Sequence, residues 1–344
     1  MFFNQENRDR LFFEDLHIRH LNLLIDLKDN KENNLFYKMA IINTFDDLKI
    51  FLNSLEKNKN KFIIAIKNRK IVGYLYIHPI NVKKTCLKIN SPVIIANDNS
   101  ISRRYLLIEL IRKSISNTDI KTSSWFISPD IYNQELVSCG RELGFQPSQE
   151  IKLWEKGFFN IKKFKEFKKN QINNYEPINK SNIKKVLNFI RSNESILIRN
   201  LIDLEQEDIH KRNDNFCGVI TNNHEINFVI IKDSSYRNKE VYSLIGGICW
   251  DERINLSLKL VIGNLIEKNP NIIFKTYEKD GILNEYLKDL NLELLKQEIT
   301  LIRNTLIKRE VKSGMKLNKS FESILDKINP QNNPYPSPFP IKLN

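Results

Sequence analysis

Cysteine and histidine side chains supply many of the nucleophiles and metal ligands of proteins. The 344-residue chain has four cysteines and five histidines. No two cysteines form a CxxC pair, and no histidine stands at metal-ligand spacing from a cysteine. We therefore expect no metal centre, and isolated thiols of this kind fit small buried residues in a reducing, cytoplasmic setting. The four are Cys86, Cys139, Cys217 and Cys249.

The net charge is strongly positive, with 54 basic against 41 acidic side chains and a formal value of +13. Such a balance attracts phosphates, anionic cofactors or nucleic acid through the long-range field. The basic residues are scattered along the chain, apart from the run between Lys162 and Lys169. A nucleic-acid partner therefore stays open but is not favoured.

The polarity of the chain indicates a soluble globular protein. Hydrophobic residues make up 41% and charged residues 28%, which is the ordinary globular range. The first ten residues, MFFNQENRDR, are polar and charged with no apolar stretch after them, which argues against a signal peptide. No apolar run approaches the roughly 20 residues of a membrane-spanning helix, so we expect no membrane association.

Hydrophobic periodicity predicts a mixed series of strands and helices in the first half. Its clearest feature is a hairpin of Phe62–Lys67 and Ile71–Ile80 with Asn68 and Arg69 as the turn. Before it, a strand near Leu11 leads into one helix, and a second helix begins at Thr44. After it, the pattern predicts a strand Cys86–Ala96, a helix Arg103–Ile115, a strand Ser123–Ile127, a helix Tyr132–Leu143 and a strand Ile151–Trp154.

The same order of elements recurs in the second half. Fixed-order recurrence is the signature of tandem domains. The predicted elements are the strand Tyr175–Ile178, a helix after Ser181, a helical stretch Ser195–Asp208, a hairpin with a turn at Asn222–Asn223, the strand Val241–Trp250, the helix Leu256–Ile266, the strand Ile272–Thr276, the helix Gly281–Leu290 and the strand Leu294–Ile302. We expect domains over residues 1–156 and 175–311, a linker over 157–174 and a Pro-rich tail over 312–344.

Three segments of the first half resemble the GNAT superfamily of acyl-CoA-dependent N-acetyltransferases. Ile63–Gly73 is similar to the family's second and third strands with their tight turn. Ser91–Asp98 is similar to the strand that splays and offers its backbone to the pantetheine arm of acetyl-CoA. Asn133, followed by Gly144 and Phe145, resembles the cofactor-side helix and its end.

The order of elements is also that of this family: strand, two helices, hairpin, strand, helix, strand, helix, strand. The resemblance covers about residues 12–154 through these segments and about 175–303 through element order alone. It implies an α/β fold with a mixed sheet, built as tandem acyl-CoA N-acyltransferase domains.

The resemblance implies acetyl-CoA as the acyl donor, with its pyrophosphate at the start of the helix that follows the splayed strand, where free amides and the helix dipole favour an anion. The family has a Gly-rich turn there, whereas this chain has Ile101 and Arg103 at the glycine positions. Arg103 and Arg104 either compensate by charge or are surface arginines at a helix start. The implied cofactor-binding residues are Val93, Ile94, Ile95, Ser100, Ser102, Arg103, Arg104 and Asn133. The corresponding stretch of the second half, Arg253–Leu258, also lacks glycine.

Acetyl transfer needs a base for the amine and an acid for the departing thiolate, and many family members use a Tyr of the last helix as that acid. The corresponding position of the first half is Gly140, with Cys139 beside it. In the second half Tyr286 lies one position from the expected place, although a buried core tyrosine is the favoured reading. Cys139 and Tyr286 are the candidate catalytic residues, and no carboxylate stands out on the strand Cys86–Ala96.

The resemblance favours an N-acyltransferase that moves acetyl from acetyl-CoA to an amine of a small molecule or peptide. Two alternatives remain. One is a non-catalytic binding or scaffold protein whose pyrophosphate loops have decayed. The other is a transferase that uses aminoacyl-tRNA, like the Fem peptidoglycan aminoacyltransferases. Because acceptor loops of the family are unrelated, the acceptor cannot be read from the sequence.

Overall fold

The computed structural model describes residues 11–24, 60–95, 101–118, 122–157, 174–222, 225–236, 239–247, 250 and 252–304. These residues belong to one unit, Met1–Thr305, and the second unit, Leu306–Asn344, lies outside the described residues. Also outside them are the predicted helix beginning at Thr44, residues 158–173 of the predicted linker, Ser100 and Cys249.

The first half contains the predicted elements in the predicted order, apart from the helix beginning at Thr44, which is outside the described residues. Its β2–β3 hairpin turns at Asn68 and Arg69, both with positive φ of 51° and 59°, which is the backbone of a tight two-residue turn and confirms the prediction. The elements are β1 Phe12–Asp15, a 3-10 turn Ile18–His20, α1 Leu21–Leu24, β2 Lys61–Lys67, β3 Lys70–Pro79, β4 Cys86–Ile89, β5 Val93–Ile94, α2 Arg103–Ser116, β6 Ser124–Ile127, α3 Gln134–Glu142 and β7 Gln146–Glu155.

The second half has a similar order of elements, with three helices between its first strand and its hairpin. Its elements are β8 Tyr175–Pro177, α4 Ile183–Asn193, α5 Ile196–Ile202, α6 Gln206–Arg212, β9 Gly218–Asn222, β10 Glu225–Tyr236, β11 Lys239–Gly246, a 3-10 turn Glu252–Ile254, α7 Asn255–Lys268, β12 Ile273–Tyr277, α8 Gly281–Asp289 and β13 Glu293–Asn304. The predicted α/β class with a mixed sheet is therefore confirmed.

Three predicted elements differ in detail. The strand predicted over Cys86–Ala96 is broken between β4 and β5, where Pro92 has no amide hydrogen for a sheet ladder. The helical stretch predicted over Ser195–Asp208 is two helices, because Asp203 adopts a left-handed φ of 45° and ends α5. The turn predicted at Asn222–Asn223 begins later, since Asn222 still pairs with Glu225 as part of β9.

The two halves share one continuous sheet. Its described strands follow the order β1-β2-β3-β4-β6-β13-β7-β12-β11-β10-β9-β8, with β5 paired to β3. β13 from the second half lies antiparallel between β6 and β7, and β7 from the first half lies between β13 and β12. Each half has therefore exchanged its last strand with the other. The division of the chain at residues 157–174 stays a prediction, and it does not divide the sheet.

The repeat extends to the ends of α3 and α8. Gly144 follows α3 with a φ of 82°, and Asn291 follows α8 with a φ of 58°. The amide of Phe145 donates to the Gly140 carbonyl at 3.0 Å, and the amide of Leu292 donates to the Leu287 carbonyl at 3.1 Å. Both helices thus end in the same left-handed cap, in which glycine or asparagine avoids the cost of a positive φ.

The second half also covers one face of the first half's strands. Ile198 and Leu201 of α5 pack against Cys86, Phe126 and Ile302, which lie on β4, β6 and β13. The opposite face of these strands carries the core formed with α2 and α3. The sheet of the first half is therefore sandwiched between its own helices and those of the second half.

Candidate functional site

A V-shaped opening lies between β4 and β6. The two strands pair in parallel from Cys86 and Ser124 to Ile89 and Ile127. Beyond that point β5 stays with β3, because the Ile95 amide donates to the Val72 carbonyl at 2.9 Å. The chain that continues from β6 stays with β13, where the Ile299 amide donates to the Pro129 carbonyl at 3.0 Å. No described strand pairs with the second edge of β5, which faces the opening.

The β5 arm presents apolar side chains at this opening. Val93 and Ile95 are each 37% exposed, whereas Ile94 between them packs into the core with α2. Gly73 of β3 permits β5 to lie this close to β3, since a Cβ at residue 73 would lie 3.1 Å from both Ile94 Cδ1 and the Val93 carbonyl oxygen. Val93 and Ile95 therefore line the opening, whereas Ile94 does not, and contact of these residues with pantetheine stays a prediction.

The start of α2 follows shortly after β5. Ser102 is its N-cap, with extended backbone, but its side chain makes no capping hydrogen bond. The first amides of an α-helix have no partner within the helix, and a missing side-chain cap leaves them available to an anion. Arg103 and Arg104 are the first two residues of this helix.

Both arginines are ion-paired with α3. Arg103 Nε lies 3.1 Å from Glu135 Oε2, and Arg104 Nη2 lies 2.6 Å from Glu142 Oε2. Arg104 Nη1 also donates to Ser138 Oγ at 3.1 Å. The arginine side chains are 64% and 44% exposed, so these contacts are surface ion pairs, which contribute only about 0–1 kcal/mol each. An incoming phosphate can therefore compete for the two guanidinium groups.

The corresponding opening of the second half is built differently. β11 and β12 pair only from Val241 and Ile273 to Ser243 and Lys275 before they separate. Trp250 stands beside the end of β11, 3.9 Å from where a Cβ on Gly246 would be.

The helix start of the second half is also different. The 3-10 turn Glu252–Ile254 runs directly into α7, whose N-cap Ile254 is itself helical. A preceding helical turn places its own carbonyls where an anion would bind at α2.

The two candidate catalytic residues are buried or already engaged. The Tyr286 hydroxyl donates to the Asn255 carbonyl at 2.5 Å, and its ring lies 5.9 Å from the Trp250 ring. Burial, with the nearby charge of Asp289, raises the pKa of Tyr286 to about 12. Cys139 is fully buried in the core of the first half, and this burial raises the pKa of its thiol.

Asn133 occupies the N-cap of α3. Its Oδ1 accepts a hydrogen bond from the Leu136 amide at 3.1 Å. This is the contact expected of an N-cap side chain, and it accounts for an asparagine at this position by local structure.

A group of charged residues on the face covered by the second half was missed by the sequence reasoning. Lys275 Nζ lies 2.5 Å from Asp233 Oδ2, and Arg212 Nη1 lies 3.9 Å from Asp233 Oδ1. Loss of hydration acts to raise the pKa of the Asp233 carboxyl, but Lys275, Arg212 and Lys88 together hold it well below its usual value. The signal available in the sequence was a lysine, Lys88, within the apolar strand CLKI.

His78 adjoins this group through β3, where it pairs in register with Lys88 of β4. Burial, together with the charge of Lys88, lowers the pKa of His78 to about 4, so its ring is neutral at pH 7. Its Nδ1 is buried and has no hydrogen-bond partner among the described residues, and its ring stacks on Tyr76 with centroids 5.3 Å apart.

Two further properties hold for the described part of the chain. Within it, no three or more His, Cys, Asp and Glu side chains are grouped so that they could hold a metal ion. None of its helices combines the length and apolar character that crossing a membrane requires.

Comparisons with known proteins give structural likeness alone. No protein-family profile matches the chain, and no curated protein sequence matches it. A GCN5-related N-acetyltransferase from Sphaerobacter thermophilus is similar with a TM-score of 0.48 at 9% identity, over 86% of this chain and 96% of that one. A tandem GNAT protein from the clavulanic acid biosynthesis pathway gives 0.45 at 9% identity, over 86% and 98%. A GNAT-family acetyltransferase from Colwellia psychrerythraea gives 0.40 at 10% identity, over 86% and 100%. At these values the likeness carries no functional argument.

Proposed function

We propose that the first half binds acetyl-CoA and that the protein transfers the acetyl group to an amine. The observation that carries the proposal is the opening between β4 and β6, where no described strand pairs with the second edge of β5 and Ser102 places no side-chain cap on α2. The strand β5 offers backbone groups and apolar side chains, and the start of α2 offers free amides and two arginines. This sequence of contacts matches an arm that ends in a pyrophosphate.

The pantetheine arm would lie along β5, where its amide groups can bond to the free edge of the strand as an added strand does. The exposed side chains of Val93 and Ile95 would cover its apolar part. The pyrophosphate would accept hydrogen bonds from the first amides of α2 and from Arg103 and Arg104. The acyl thioester would then point through the opening toward the face covered by α5.

The transfer itself joins the amine nitrogen to the thioester carbon and breaks the carbon–sulfur bond. The amine loses a proton and the departing thiolate gains one, so the reaction is balanced without a further reagent. Holding the two reactants in one opening supplies much of the rate through orientation.

In this proposal the second half does not bind CoA. Trp250 and Tyr286 stand at its opening, and the turn Glu252–Ile254 occupies the start of α7. We propose that this half shapes the acceptor side of the first site through α4, α5 and α6.

Binding of coenzyme A tests the proposal directly. We expect acetyl-CoA and CoA to raise the melting temperature of the protein, since a ligand that binds only the folded state stabilises it. Arg103→Ala/Arg104→Ala should weaken CoA binding about tenfold, as loss of two partly exposed charge contacts implies. Isothermal titration calorimetry measures the change.

A matched control is Lys184→Ala/Lys185→Ala, which removes two adjacent exposed basic residues from the first turn of α4. It should leave CoA binding unchanged. If millimolar CoA gives no stabilisation of the wild-type protein, the proposed function is wrong.

A non-catalytic CoA-binding protein is the second candidate, and the burial of Cys139 and the engaged hydroxyl of Tyr286 favour it. It predicts CoA binding without release of free thiol from acetyl-CoA in the presence of amines. A thiol-release assay over a panel of amines separates the two functions.

A further inference from the structure

Lys88 lies on β4, one residue before Ile89, where β4 and β6 separate. Side chains two residues apart share a face of a strand. Cys86 packs against α5, so Lys88 lies on that same face, in register with Phe126 of β6.

Lys88 is half-buried and unpaired. Within the described part of the chain its ammonium group makes no hydrogen bond and no ion pair. Loss of hydration is the largest influence on it and lowers its pKa. An unpaired cation away from bulk water is costly, and an anion placed beside it removes much of that cost.

The carboxylates near Lys88 are already engaged by other cations. Asp233 is bound by Lys275 at 2.5 Å, and Glu298 is bound by Lys296 at 2.8 Å. Arg212 also approaches Asp233, and its Nη2 donates to the Ile80 carbonyl at 2.7 Å.

The charges on this face do not balance. With His78 neutral, the charged groups around Lys88 and Asp233 comprise four cations and three carboxylates, a formal excess of one positive charge. The cations are Lys88, Arg212, Lys275 and Lys296, and the carboxylates are Asp233, Glu298 and Asp130, which lies 4.0 Å from Lys296 Nζ.

The face is only partly exposed to solvent. The side chains of Asp233 and Lys275 are 22% and 20% exposed, and that of Glu298 is 11% exposed. Partly exposed side chains of reduced hydration with a positive excess suit a small anionic ligand.

We propose that Lys88 binds a carboxylate of the acceptor, so that the acceptor is a small amine carrying a carboxylate group. The inference rests on the proposed function, because Lys88 adjoins the opening through which the thioester would arrive. A carboxylate held there keeps the amine of the same molecule beside the opening. Phosphate is less well matched, since phosphate sites combine several donors, and the guanidinium of Arg212 is already engaged.

Ligand binding without CoA tests this assignment. The probes are N-acetyl-β-alanine, which carries a carboxylate, and N-acetylethanolamine, which is its neutral counterpart. We expect the wild-type protein to bind the first at least tenfold more tightly in calorimetry. Equal binding of the two would overturn the inference without any variant.

Variants locate the contact. Lys88→Met keeps the apolar stem and removes the charge, and it should weaken binding of N-acetyl-β-alanine about tenfold, whereas Lys88→Arg should retain it. The control Lys211→Met removes an exposed lysine that pairs with Glu207 on α6, and it should change nothing. Unchanged binding in Lys88→Met would overturn the inference.

Acceptor choice gives the second readout, with β-alanine, phosphoethanolamine, ethanolamine and 1,3-diaminopropane as amines. We expect β-alanine to give the highest kcat/KM with acetyl-CoA. Preference for the phosphate, the neutral amine or the diamine would overturn the carboxylate assignment. If CoA does not bind but N-acetyl-β-alanine binds through Lys88, only the proposed function fails. If CoA binds but the carboxylate confers no preference, only this inference fails.

Discussion

Asp233 is the residue on which the charged face depends. Its carboxylate lies among Lys275, Arg212 and Lys88, which hold its pKa well below the usual value. Asp233→Asn would leave these cations without their shared partner. We expect a loss of about 3 kcal/mol in the free energy of unfolding at pH 7, measured by urea denaturation.

The pH dependence of that loss follows from the direction of the shift. A carboxyl whose pKa is lowered by folding stabilises the protein above its unfolded pKa, and this contribution disappears as the pH falls through the folded value. The difference between wild type and Asp233→Asn should therefore be full at pH 7 and shrink below about pH 4. Glu207→Gln, in an exposed pair, should cost no more than about 0.5 kcal/mol. A difference that stayed constant down to pH 3 would contradict this assignment of the charge.

Substitution of Tyr286 distinguishes a structural role of its hydroxyl from a catalytic role. Its hydroxyl joins α8 to the start of α7 through the Asn255 carbonyl. Tyr286→Phe should lower the free energy of unfolding by about 1 kcal/mol, the value of one buried hydrogen bond, with thiol release unchanged. A loss of a hundredfold or more in kcat would instead support its predicted role as the acid.

At the scale of elements, the approach of β5 to β3 determines the shape of the opening. Gly73→Ala would place a Cβ 3.1 Å from the Val93 carbonyl oxygen, and backbone there cannot move aside without shifting β5. We expect CoA binding to weaken about tenfold and stability to fall by about 1–3 kcal/mol, the usual cost of overpacking. The control is Gly281→Ala, where a Cβ would meet nothing within 4 Å. Unchanged CoA affinity in Gly73→Ala would show that β5 does not belong to the binding site.

Local elements were predictable because their signals are local. The pair Asn68 and Arg69 marks a tight turn, and Gly144 marks a helix end, so the hairpin and α3 follow from neighbouring residues. The β5 segment and the start of α2 were reached through resemblance. The charged face could not be predicted, because Lys88 and Asp233 meet only after the second half has packed on the first. A pairing between distant strands, such as β13 with β6, has no signal in either strand alone.

At the scale of the molecule, the exchanged strands make each half incomplete by itself. β13 pairs along β7 from Glu293 to Ile302 and also pairs with β6. A fragment of residues 1–157 would expose the edges of β6 and β7. We expect it to aggregate or to pair with a second copy, because exposed strand edges bind other strands. Co-expression with residues 175–344 should restore a soluble complex, which size-exclusion chromatography measures. A monomeric, cooperatively unfolding fragment 1–157 would contradict this expectation.

The same exchange affects how the protein is made. A ribosome that has completed β7 must add about 150 more residues before β13 emerges, which takes about 10–30 seconds at ordinary elongation rates. During that interval the sheet of the first half stays open at the β6 edge, with its hydrogen-bonding groups unpaired. The nascent chain is therefore most prone to aggregation during this interval. The interval ends when β13, the last strand of the sheet, pairs with β6.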